Sequence, residues 1–177
     1  MISALICSSI IIEVIRDMKK NIKSLVLAVM LLCCFSCTSG FKTFKIPTEA
    51  MSPTIVKGDW FIAVPVSEIE RSDIIVFKYP KDTSIWYVFR VIGLPNETVE
   101  IKNNNIYVNG NLLEEPYILP EYNQKKIKEG IYKIPDDSFF VLGDYRDNSE
   151  DSRFWGNVPK HLIYGKFYMK YFHKEEK

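Results

Sequence analysis

Gly143-Asp144-Tyr145-Arg146-Asp147-Asn148-Ser149-Glu150-Asp151-Ser152-Arg153-Phe154-Trp155-Gly156 mixes four acidic and two basic side chains with two glycines and two serines. Such a stretch has no apolar face to bury, so it reads as a polar, turn-rich loop held by a network of opposite charges. It follows Ser138-Phe139-Phe140-Val141-Leu142, which has the composition of a strand. Working back along the chain, Tyr87-Val88-Phe89-Arg90-Val91-Ile92-Gly93-Leu94-Pro95 ends an aromatic and apolar run stopped by Gly93 and Pro95. Further back lies Ile46-Pro47-Thr48-Glu49-Ala50-Met51-Ser52-Pro53-Thr54-Ile55.

Between these three blocks the chain reads as strands and turns. Residues 59–66, 73–77 and 85–92 are short runs rich in β-branched and aromatic residues. Residues 98–101 alternate cleanly, Asn103-Asn104-Asn105 turns the chain, and residues 106–108 return it. Asn109-Gly110 is the strongest hairpin signal, because both positions tolerate the positive φ of a tight turn. Residues 114–130 are polar, carry Pro116 and Pro120, and read as an excursion. Residues 138–142 and 166–171 supply late strands. No window sustains a 3.6-residue period and no repeat is present, so the expected fold is mostly β and antiparallel.

Composition narrows the function. The chain has 177 residues, the size of one domain with a targeting segment. Its 23 basic and 22 acidic residues leave no basic face for nucleic acid. All four cysteines (Cys7, Cys33, Cys34, Cys37) precede residue 38, so the folded part has neither disulfide nor thiolate metal site. With only His161 and His173, and no Gly-rich phosphate loop, no cofactor is implied.

Met18-Lys19-Lys20-Asn21-Ile22-Lys23 leads into an apolar run over residues 25–35 and then Ser36-Cys37-Thr38-Ser39-Gly40. A basic start, a short apolar core and small residues form a secretory signal. The run is shorter than the roughly 20 residues of a membrane-spanning helix. Ser36-Cys37 resembles a lipoprotein box, which makes Cys37 a lipidation candidate. Residues 1–37 are therefore expected to be a signal sequence or membrane anchor, and 38–177 an extracytoplasmic β domain. Translation starting at Met18 is the preferred reading of the first 17 residues, with a first membrane segment as the other.

The three blocks, in this order and at these distances, resemble the signature boxes of the type I signal peptidases, membrane-anchored serine/lysine proteases that remove leader peptides from exported proteins. The resemblance spans about residues 41 to 170 and implies that family's complex coiled β-fold. It also implies a serine nucleophile where this chain has Ala50, and a general-base lysine where it has Phe89. Neither catalytic position is intact: alanine has no oxygen to attack with, and phenylalanine accepts no proton. By the same resemblance, the Ala50 amide and the Thr48 hydroxyl match oxyanion donors, and Ser149 matches a serine that orients the lysine. Asp151, Arg153 and Arg90 match a structural salt-bridge set, and Gly143-Asp144 a tight turn beside the site. Tyr145 and Asn96-Glu97 depart from the family pattern, the latter affecting only a turn.

The expected function is that of a proteolytically inactive family member at the periplasmic face of a bacterial membrane. It would bind signal peptides, or an active signal peptidase, through a groove lined by Ile46, Thr48, Met51 and Phe89. The alternatives are an active peptidase using substitute residues and a structural surface lipoprotein.

Overall fold

Residues 40–125 and 127–172 are described by a computed structural model. The anchor segment, with Cys37 and the candidate start at Met18, lies outside the described residues, as does His173. The strands are β1 (Lys42–Lys45), β2 (Trp60–Val64), β3 (Ile74–Tyr79), β4 (Asp82–Gly93), β5 (Thr98–Lys102) and β6 (Asn105–Val108). They continue as β7 (Asn111–Leu112), β8 (Gly130–Lys133), β9 (Ser138–Leu142), β10 (Val158–Pro159) and β11 (Ile163–Phe172). A single-turn helix, α1 (Ser152–Trp155), is capped by the Asp151 carboxylate, which accepts from the Arg153 N–H.

Among the described residues every pairing is antiparallel, as the strand patterns predict. One sheet runs β1-β2-β11-β3-β4-β9-β10 and the other β7-β6-β5-β8. The C-terminal strand β11 thus enters between β2 and β3, so the larger sheet is complete only when the last strand arrives.

Strands β4 and β9 form the wall shared by two cores. Side chains of a strand alternate between faces, and here both faces are covered. Phe89, Val91, Phe139 and Val141 belong to the first core, while Ile92, Phe140 and Leu142 belong to the second. This is why all five residues of β9 are buried. The block that follows β9 is launched from this wall, and that placement fixes the site.

The Asn109-Gly110 turn has the positive φ values of 50° and 82° that its sequence calls for, and Asn103 and Asn104 turn at 51° and 61°. Strand β4 is longer than the expected 85–92 because it pairs with β3 as far out as Tyr79 opposite Asp82. Strand β11 starts earlier than the expected residue 166, at Ile163. β1 and β8 carry little sequence signal: Lys-Thr-Phe-Lys and Gly-Ile-Tyr-Lys are edge strands with lysines, and edges need only one packed face.

Glu97 does more than shape a turn. Its carboxylate accepts from the Leu94 N–H at 2.7 Å and from Arg71 at 2.6 Å, fastening the β4–β5 turn to the segment before β3. Burial pushes this carboxyl up, but the Arg71 and Leu94 hydrogen bonds and the Arg71 charge outweigh it, so the folded pKa lies below the usual value. A depressed carboxyl adds stability that is present above its unfolded pKa, about 4.3, and is lost as pH falls through the folded value. Glu97→Gln should therefore flatten the acid limb of a stability-versus-pH curve measured by urea unfolding. An acid limb of unchanged slope would assign the acid sensitivity to other carboxylates.

Candidate active site

The Ala50 loop, residues 46–59, is closed by its own backbone. The Ile46 N–H donates to the Asp59 carbonyl at 2.9 Å, and the Gly58 N–H returns to the Ile46 carbonyl at 2.9 Å. Ile46, Met51 and Ile55 sink into the first core and so fix which residues remain outside. Thr48 is exposed and Ala50 half-buried. The Ala50 carbonyl accepts from the Tyr145 N–H at 3.0 Å, while the Ala50 N–H has no acceptor among the described residues. Ser52 is buried at 6% exposure.

The third block is a knot around one carboxylate. Asp151 accepts from the Gly143 N–H at 3.0 Å and the Ser149 hydroxyl at 2.9 Å. It also accepts from Arg153 Nε at 2.7 Å and Nη2 at 2.8 Å. Arg153 Nη2 donates as well to the Arg146 carbonyl at 3.0 Å. Gly143 has to be glycine here, because a Cβ would press on Ser149 and stand 2.5 Å from the Ala50 carbonyl oxygen. That close approach clamps the third block against the Ala50 loop.

Arg90 does not join this knot. The expected set of Arg90, Asp151 and Arg153 separates into two ion pairs, because Arg90 lies on β4 and faces Asp144. Its Nε and Nη2 reach the two Asp144 oxygens at 2.8 and 2.6 Å. Thr54 donates to the same carboxylate at 2.5 Å. Asp144 is therefore a fully buried ion-pair partner as well as a turn residue. Glu115, in the excursion, was silent in the sequence. It accepts from Arg146 at 2.9 and 2.5 Å and from the Tyr117 hydroxyl at 2.8 Å. Burial, then the charge of Glu115 and its hydrogen bond, hold the Tyr117 phenol far above its usual range. It remains a donor, with the Arg90 guanidinium 3.9 Å from its ring centre.

Between the Ala50 loop, β4 and the third block lies a groove of about 880 Å³. Ile46, Thr48, Ala50, Met51, Phe89 and Ser149 all line it, so the structure brings these sequence-selected residues together. Arg90, Gly143, Asp144, Asp151 and Arg153 stand behind it. Phe89 is 5% exposed and sits among aromatic rings: Tyr87 at 5.7 Å, Phe77 at 6.2 Å and Trp155 at 6.3 Å between centroids. Phe44, Trp86, Tyr87 and Phe154 add an aromatic lining that sequence reading missed. Burial, with Tyr79 and Glu150 nearby, raises the Tyr87 phenol.

The other amines and hydroxyls have different employment. Lys78 lies 3.9 Å from the Trp86 ring centre, Lys81 is exposed at the β3–β4 turn, and His161 is exposed. Ser149 donates to Asp151, a carboxylate already saturated by Arg153. Lys45 and Lys57 line the groove, but no hydrogen bond joins an amine to a hydroxyl there among the described residues.

Compared with known families, the chain matches signal peptidase, peptidase S26, over residues 18–172. It belongs to the signal peptidase family. Among individual relatives, it is 36% identical over 148 residues to a probable signal peptidase I-2 of Synechocystis, covering 75% of this chain and 66% of that protein. A signal peptidase I of Leptolyngbya laminosa is 39% identical over 151 residues, with 75% and 71% covered. The chain thus spans about two thirds of the length of these signal peptidase relatives. A crystal structure of a signal peptidase I from Enterococcus faecalis superposes with a TM-score of 0.52 at 30% identity, covering 57% of this chain and 97% of that one. The antiparallel β architecture is the signal peptidase fold.

Two substitutions test this construction of the site. Asp144→Ala strands the Arg90 charge in the interior and should lower unfolding free energy by about 3–5 kcal/mol. Phe89→Ala empties the aromatic nest and should lower it by about 3–5 kcal/mol. Both are read by urea denaturation. A loss within 1 kcal/mol, roughly that of a surface change, would mean that the ion pair or the ring is not structural.

Proposed function

We propose that this signal peptidase family member is proteolytically silent and binds extended peptides of the signal-peptide class at the outer face of a bacterial membrane. The observation that supports the reading is the pair of side chains that line the groove where the family resemblance expects a nucleophile and its base. Ala50 offers a methyl group, and Phe89 is a ring packed into an aromatic nest. A serine mechanism needs a hydroxyl next to an amine that burial keeps neutral. With only binding and an oxyanion hole, a serine protease retains about 10³- to 10⁴-fold over water, too little for turnover of exported proteins.

The geometry favours binding. Strand β4 pairs with β3 along its length, but with β9 only from Arg90 onward. Residues 85–89 therefore border the groove with one backbone edge unpaired. An extended peptide can add there as a strand, held by main-chain hydrogen bonds, with its side chains against Ile46, Met51, Trp86 and Phe89. The apolar run before the domain and the lipidation candidate Cys37 support a membrane location.

A synthetic signal-peptide analogue should slow amide hydrogen exchange at residues 85–89 and 46–51 of the wild-type chain, without any cleaved product. Unchanged exchange would remove the binding role and favour a surface lipoprotein. A cleaved product from the wild type would overturn the silence. The double variant Ala50→Ser with Phe89→Lys should regain cleavage if the groove keeps its catalytic shape.

A further inference from the structure

We infer that the groove selects extended peptides carrying an aspartate or glutamate at the position beside Trp86, where Lys42 and Lys78 read the charge. The inference rests on the peptide-binding reading proposed above and names which peptides that site takes.

Trp86, Phe44 and Tyr164 form a triangle of rings. The Phe44 and Trp86 centroids are 5.4 Å apart, and each lies 6.0 Å from that of Tyr164. Phe44 and Trp86 line the groove. Two ammonium groups converge on this triangle. Lys78 stands on β3, opposite Trp86 in register, and its Nζ lies 3.9 Å from the indole centre. Lys42 comes from β1, with its Nζ 5.4 Å from the same indole and 4.6 Å from the Tyr164 ring. The ring faces favour each cation, but two like charges beside one indole repel each other. Neither amine has a carboxylate within ion-pair distance among the described residues. Asp82, across the β3–β4 turn, feels the Lys78 charge, yet its carboxylate accepts from the Ser84 N–H at 3.0 Å and the Ser84 hydroxyl at 2.6 Å.

Strand geometry brings a peptide side chain to this pair. The edge of β4 over residues 85–89 is open, because pairing with β9 begins at Arg90. A strand added there sets one residue directly opposite Trp86, its Cβ roughly 5 Å from that of the tryptophan. Lys78 flanks Trp86 from the other side and already reaches across onto its ring. An aspartate or glutamate opposite Trp86 therefore stands next to both amines and relieves their repulsion, whereas a lysine adds a third cation. The apolar core of an ordinary signal peptide offers no such group, so the pair discriminates within the extended-peptide class. Other charges of the groove are divided in the same sense. Lys45 and Lys57 line it beside Ile46, Lys57 because the Gly58 N–H is bonded to the Ile46 carbonyl. Glu49 and Glu150 line it beside Ala50 and Ser149, and Asp147 is engaged by the Gln124 and Lys125 amides. An acid is thus favoured opposite Trp86 and disfavoured beside Ala50. Trp86 precedes Phe89 by three residues, so the selected acid lies three positions from the peptide residue opposite Phe89.

The test is fluorescence anisotropy of short labelled peptides with the full chain in detergent. All share an alanine-rich sequence with a small residue to face Phe89. They carry aspartate, asparagine or lysine three positions before that residue in one series and three after it in another, which covers both strand directions. In one series the aspartate peptide should bind about fivefold to tenfold tighter than the asparagine peptide, the range that two exposed ion pairs allow, with lysine weakest. The difference should shrink as salt is raised. Lys42→Gln combined with Lys78→Gln should bring the aspartate peptide down to the level of asparagine, and each single change should remove part of the preference. Lys78→Glu should reverse the order of the aspartate and lysine peptides, with thermal unfolding confirming that each variant is folded. Equal affinity for the three side chains in both series would overturn the inference and leave the groove as a peptide site. No binding by any peptide would overturn both. A preference for aspartate that survives the double variant would move the acid to Lys45 or Lys57 and overturn the assignment to Trp86.

Discussion

One buried carboxylate, Asp144, holds the three signature blocks in register. It receives both arms of Arg90 from β4 and the hydroxyl of Thr54 from the Ala50 loop, while its own backbone begins the third block. Few single residues could join segments so far apart in the chain. The guanidinium fork explains why: it satisfies both carboxylate oxygens in one plane and still reaches the Ser72 carbonyl at 2.9 Å. Desolvating two charges is expensive, so the pair contributes little net stability over an apolar equivalent. Its value lies in direction. A hydrophobic contact would let the three segments slide, whereas a bidentate pair with a third donor allows one arrangement.

A second layer of polar contacts keeps that arrangement from loosening. Asp151 binds Arg153, Ser149 and the Gly143 amide at once, and Arg146 reaches from the same block to Glu115 in the excursion. Asp147 accepts the Gln124 and Lys125 amides at 2.8 and 3.0 Å, which fastens the end of the excursion beside the groove. The excursion carries little regular structure beyond the 3-10 turn Pro120–Tyr122 yet stays attached, because the third block accepts two of its backbone amides. A groove built this way is supported independently of any reaction in it.

The contents of the groove follow the opposite logic from its frame. A neutral, buried amine is held at the expense of solvation, and only catalysis compensates for that loss. A phenyl ring in the same position gains dispersion and apolar burial from Phe77, Tyr87 and Trp155. Under the silent reading proposed above, the aromatic side chain is the stable choice for this wall, and the polar frame has no reason to change with it.

Much of this was legible in the residues. Period-two alternation and Asn-Gly chemistry located most strands and the tightest hairpin, because strand faces and positive-φ turns are decided within a few residues. The three blocks identified the family. The edge strands β1 and β8 escaped, since four residues with one packed face leave no period to detect. The partners of Arg90 and Arg146 escaped as well. Opposite charges abound in the third block, and nothing local says that Arg90 meets Asp144 rather than Asp151, or that Glu115 crosses from an irregular segment. The chain alone decided which surfaces want to be buried and where it must turn. The tertiary fold decided which charges meet, which strand edge stays open and which aromatic face is left to the outside, because those outcomes depend on contacts between residues far apart in sequence.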